Sequence, residues 1–284
     1  MWEVVGAGGD KRPVLRWRVT IVFGAAILIW ILVHQTAEAI FGPDYDRLRH
    51  ILAAMATSAL AVPLVVLARR RLDRRPWAGL ALASPRTGWR PLLLGAGYYL
   101  VPAAIGTAGC LALGWTRIRW TEADPWAAVA GTLFSAALLV LLVFLFEALP
   151  EELIFRGYLY RNLVTVLPRW LANLAQAGLF TAFGVAIGAA PTIDRVLILF
   201  FFVWILGVFR AVTGNLWAPI GFHLAFQTCA QLVGPSWDVF TVSSLDVLQT
   251  VGLGAIPLIV AVVAIQLHRR RELRSALREP DLDT

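Results

Sequence analysis

The sequence predicts an all-α polytopic transmembrane helix bundle of about eight spans, and three observations carry that prediction. The chain is 59% hydrophobic and only 15% charged, where a soluble domain carries about 25% charged residues. Apolar stretches of roughly 20 residues, the length that crosses a bilayer, recur along its 284 residues. The basic residues gather between those stretches, where membrane topology accounts for them. The net charge of +7 therefore does not point to nucleic acid, and none is expected as a partner.

The spans are expected at 19–41, 51–68, 92–114, 126–148, 170–190, 196–212, 215–233 and 247–267. They define a tail at 1–18, a membrane domain at 19–267 with its core at about 125–235, and a basic tail at 268–284. Of the 25 Lys and Arg residues, all but Arg47, Arg49, Arg117, Arg119 and Arg195 fall on one side of the membrane. The positive-inside rule makes that side cytoplasmic, together with both termini. Trp17, Trp77, Trp89, Trp115, Trp126, Trp170, Trp217 and Trp237 fall near span ends, as an aromatic belt does. At the N-terminus a basic region, an apolar run and then "AEA" at 37–39 also have a leader-like outline, but the apolar run is long for one. Cys110 and Cys229 lie inside apolar segments, without disulfide or metal spacing. No internal repeat of the kind found in transporters stands out.

The apolar run of the fourth span leads into "FEALPEELIFRGYLYRN", residues 146 to 162. Glu147, Glu151, Glu152 and Arg156 there adjoin hydrocarbon, where a charge costs roughly 2.5–3.5 kcal/mol on insertion scales. Pro150 either kinks this helix or opens a new one at its first position. In the second case Glu151 and Glu152 lie in a first turn, where the helix dipole favours negative charge and apolar surroundings oppose it. A glutamate between these forces can take a proton from water. Glu152 and Arg156 are spaced i, i+4 in the favourable order, which pairs them and leaves Glu151 without a local partner. Glu147, one turn earlier, can share a proton with Glu151 or bind a substrate group. A helix-end ion pair at the interface accounts for the same residues without chemistry.

A second constellation lies in "GNLWAPIGFHLAFQTCAQ", 214 to 231. His223 and Gln227 are i, i+4 on one helix face. His223 lies about 12 Å of helix rise beyond Asn215, inside the bilayer on its cytoplasmic half. An intramembrane histidine is a site candidate by default. His34 and Glu38 form another i, i+4 pair nearer the outer face and read as structural; His50 and His268 sit at span ends.

"EELIFRGYLY" resembles the glutamate-glutamate-x-x-x-arginine motif of the CAAX-protease and bacteriocin-processing family of membrane endopeptidases. "TGNLWAPIGFH" is similar to that family's late segment, which ends in a histidine followed four residues on by asparagine. The resemblance covers about 125–235. It implies that Glu151 activates water against a peptide carbonyl, that Glu152 and Arg156 support the site, and that His223 and the following amide stabilise the oxyanion. It also implies a bacterial plasma membrane, membrane lipid around the chain, and a membrane-associated protein or peptide as substrate.

Two positions depart from the family pattern. A histidine expected four residues after a phenylalanine in the next span is absent: Gly184 follows Phe180 and Ile187 follows Phe183 at that spacing. The late asparagine is Gln227. Zinc catalysis needs about three protein ligands and an open position, and the set here shrinks to Glu151, His223 and Glu147, so the cofactor is left unknown. The resulting expectation is a glutamate-dependent intramembrane endopeptidase with a polar cavity open to the cytoplasm. A catalytically weakened relative that binds peptide or lipid, or serves as an immunity protein, is the alternative. A proton relay through Glu147 and Glu151 in a small-solute transporter is a third use of the same carboxylates.

Overall fold

The computed structural model describes residues 12–272. Among them, all eight expected segments are helical. They are α1 (Leu15–Phe41), α2 (Arg47–Leu72), α3 (Pro85–Ala112), α4 (Pro125–Leu163), α5 (Arg169–Ala186), α6 (Ile193–Thr213), α7 (Trp217–Leu232) and α8 (Leu245–Gln266). The expected tails fall largely outside the described residues.

Six of the helices, all but α5 and α7, are long and apolar enough to cross a membrane. The 16 residues of α7 rise only about 24 Å, short of the roughly 30 Å of hydrocarbon. It can be short because it is enclosed, packed mainly on α3, α4 and α6. Helices in lipid associate through close packing rather than hydrophobic exclusion, so small residues set how near they come. A side chain at Gly95 would collide with the Ala218 carbonyl, and one at Gly221 with the Leu92 carbonyl. These two glycines let the backbones of α3 and α7 touch, and that contact seats His223 in the interior.

The fourth segment extends well past its expected end. Asp124 caps α4, accepting from the backbone N–H groups of Trp126 and Ala127 at 2.8 and 2.9 Å. The helix then runs 39 residues, neither ending nor restarting at Pro150. It widens into π turns at Phe144–Ala148 and Leu153–Leu159, on either side of Leu149–Glu152. Proline cannot donate to the preceding turn and crowds its carbonyl; the wider turn relieves both faults, and Ser58 donates its hydroxyl to the Leu145 carbonyl. Glu151 and Glu152 are therefore mid-helix, where no first-turn dipole acts on them.

A short antiparallel ladder joins the loops before α4 and α8. It pairs β1 (Ile118–Trp120) with β2 (Phe240–Val242), with Arg119 opposite Thr241. Beside it, the buried Trp237 packs against Tyr45 and His50, under Arg47 at 5.6 Å.

Candidate active site

The charged residues singled out from the sequence meet between α4 and α7. Glu152 is the hub. Its Oε1 accepts from Arg156 Nη1 at 3.0 Å and lies 3.0 Å from His223 Nδ1. The other ring nitrogen, Nε2, stands 3.9 Å from Glu151 Oε2. Arg156 also donates from Nη2 to the Val203 carbonyl on α6 at 3.0 Å, and its guanidinium lies 4.7 Å from the centre of the Phe180 ring on α5. Phe202 meets the edge of the His223 ring at 5.3 Å. Two helices thus supply the ionisable groups, and α5 and α6 supply the walls.

Burial is nearly complete. Glu152 and Arg156 are 0% exposed, His223 1% and Glu151 7%. The carboxylates face one another's partners inside protein, which explains how an apolar sequence accepts them. The expected open cavity has instead the form of a closed site in which Glu151 keeps the most access. An ion-paired carboxylate accepts, so the hydrogen on His223 Nδ1 points to Glu152 and Nε2 faces Glu151. In its doubly protonated form the ring also turns an N–H toward Glu151, too far for a direct hydrogen bond, and its charge and that of Arg156 balance those of the two glutamates.

Glu147 stands one turn away, within electrostatic reach of Glu151 and His223. Its Oε1 accepts from Gln231 Nε2 at 2.8 Å, and Gln227 lies beside it. Gln227 is therefore close enough for its amide to interact with Glu147. Gln231 was missed in the sequence, although it follows Gln227 by four residues and so shares its helix face.

The position of the absent histidine is filled. A side chain at Gly184 would collide with Leu199 of α6. Among the described residues no group of three or more His, Cys, Asp or Glu side chains is arranged to hold a metal ion. Glu152 is already committed to Arg156 and His223, and Glu147 to Gln231, so the residues present do not fit a zinc centre of three protein ligands.

A second buried cluster was not foreseen. Asp73, fully buried at the end of α2, accepts from Arg18 at 3.0 Å, Tyr158 at 3.1 Å, Arg69 at 3.0 Å and Asn162 at 3.1 Å. Arg18 also donates to Asn162 Oδ1 at 2.8 Å. Tyr158 and Asn162 close the motif helix, so this clasp fixes the far end of the wide turn that carries Arg156. In the sequence Arg18 and Arg69 read as topology signals alone.

The fold and this centre define an integral membrane protein with an enclosed glutamate–histidine–arginine site. Residues 132–229 match the family model described as type II CAAX prenyl endopeptidase Rce1-like, and the recognition drawn from the two motifs stands at that level. The matched segment contains both motifs, and the family it matches is one of endopeptidases. No curated protein matches the chain.

Proposed function

We propose that the protein is an intramembrane endopeptidase of the CAAX-protease type that cleaves a membrane-associated protein or peptide. The observation that carries this reading is the buried relay from Arg156 through Glu152 to His223, with Glu151 across from the other ring nitrogen. A gap of 3.9 Å is too long for a hydrogen bond and suits one water touching both groups. Glu151 takes a proton from that water as its oxygen attacks the scissile carbonyl. The oxyanion that forms accepts from the protonated Nε2 of His223, held in place by Glu152. Glu151 then returns its proton to the departing amine. Glu147, with Gln227 and Gln231, binds a polar group of the substrate. The site lies on the cytoplasmic side of a bacterial plasma membrane, with both termini on that side, and must open to admit substrate.

The test is proteolysis in proteoliposomes, comparing wild type with Glu151→Gln on a library of membrane-anchored peptides, with and without chelator, read by mass spectrometry. Cleavage by wild type alone supports the reading, and chelator sensitivity decides the metal question. Failure of the wild type where an active relative cuts the same library favours the second reading, a non-catalytic peptide- or lipid-binding or immunity protein. What favours that alternative is Leu199 in the space a histidine at Gly184 would need.

A further inference from the structure

The end of α2 carries a pocket of about 330 Å3 that the Glu151 chemistry does not use, lined by Val62, Val66, Arg69, Arg70 and Trp77. Val66 follows Val62 by four residues, and Arg69 and Arg70 follow Val66 by three and four, so both arginines lie about one turn beyond Val66 on that side of α2. Trp77 opens a short 3-10 turn, Trp77–Leu80, and closes the slot from the other side. The walls are apolar and the rim is cationic. Elsewhere on α2, Met55, Leu60 and Leu67 stay about half exposed, as a helix facing hydrocarbon does.

The two rim arginines differ. Arg69 is 2% exposed, tied to Asp73 and donating from Nε to the Pro76 carbonyl at 3.0 Å. Arg70 is exposed, and so are Arg71 and Arg74 next to it. Asp73 is the one acidic residue between Asp46 and Glu122. It is fully buried and ion-paired with Arg18 and Arg69. Among the described residues no carboxylate lines the pocket to oppose an anion, and a run of guanidiniums repels a headgroup that ends in a cation.

We propose that this pocket binds one anionic phospholipid, its acyl chain lying along Val62, Val66 and Trp77 and its phosphate against Arg70. Basic residues beside a span attract anionic lipid with about 1 kcal/mol each, and an apolar slot beneath them converts that attraction into a site. Through Arg69 the rim connects to Asp73, and so to Tyr158 and Asn162 at the end of the motif helix. The proposal does not rest on proteolysis.

Native mass spectrometry of the full chain in mild detergent tests it, with phosphatidylglycerol and phosphatidylcholine of identical acyl chains. The expected result is one phosphatidylglycerol retained per chain in preference to phosphatidylcholine. Arg70→Gln should weaken that retention about fivefold, the effect of about 1 kcal/mol. Arg90→Gln, which removes an exposed charge outside the pocket, should leave it unchanged. Equal retention of the two lipids overturns the proposal. So does an Arg90→Gln loss as large as that of Arg70→Gln, which marks diffuse surface charge. Competition by chain-free glycerol phosphate as strong as that by the lipid also overturns it, since the acyl slot would then contribute nothing.

Discussion

Two buried polar clusters lie within three turns of each other on α4, and they are built differently. Around Asp73 both carboxylate oxygens are matched, each by two donors. Around Glu151 and Glu152 the carboxylates are incompletely matched: Glu152 Oε2 and Glu147 Oε2 have no hydrogen-bond partner, and Glu151 is 3.9 Å from His223, whereas an unmatched guanidinium Nε occurs in both clusters, on Arg156 and on Arg18. A buried polar atom left unmatched costs about 1–3 kcal/mol. Such faults persist where the groups serve something other than stability. On the function proposed above, the Asp73 cluster is a clasp and the Glu151 cluster the site where substrate and water are received.

The largest effect should come from breaking the clasp. Asp73→Ala leaves the buried guanidinium of Arg69 without its carboxylate partner, and removing one member of a buried pair costs about 3–5 kcal/mol. Denaturant unfolding in detergent micelles should report a loss of that size. A change under about 1 kcal/mol would mean that full matching at Asp73 does not make it a clasp.

The converse comes from Glu151→Gln. It keeps the shape and removes the proton acceptor, so cleavage should fall by about 10²–10⁴-fold while unfolding free energy changes by no more than about 1 kcal/mol. A large stability loss with little rate loss would exchange the roles of the two clusters. These two clusters also differ in how far the sequence revealed them. Glu151, Glu152 and Arg156 were legible because charges at helical spacing stand out at the end of an apolar run, and His223 because it interrupts another. Asp73 was not, because its donors arrive from Arg18, Tyr158 and Asn162, dozens of residues away, and the surrounding "RRRLDRR" reads as a topology signal. The course of α4 through Pro150 was open for a related reason. A π turn depends on what accepts and donates around it, here the Ser58 hydroxyl, and leaves no periodicity of its own. The β1–β2 pairing joins two three-residue strands more than a hundred positions apart, too short to carry an alternating pattern.

A smaller effect is expected where the family histidine is absent. Gly184→His forces its side chain against Leu199, and overpacking a well-filled interior costs about 1–3 kcal/mol. The double variant Gly184→His with Leu199→Ala makes room and should recover part of that loss. Thermal unfolding of the single and double variants measures the coupling between the two positions. If the double variant also cleaves faster than wild type, the histidine adds to the Glu151 centre; a rate unchanged within error means that the cluster works without it.

The smallest effect is predicted at the ion pair outside both clusters. His34 and Glu38 on α1 approach to 3.8 Å, but their side chains are 63% and 48% exposed. An exposed pair of this kind contributes about 0–1 kcal/mol, because solvent screens it and two side chains must be ordered to form it. Glu38→Gln should therefore shift unfolding by less than about 0.5 kcal/mol at either low or high salt. Set beside the loss expected at Asp73, that result would show that burial and matching, rather than the count of ion pairs, decide which charges hold the bundle together. A salt-sensitive loss above about 1 kcal/mol would instead move part of the stabilising electrostatics from the two clusters on α4 to the C-terminal end of α1.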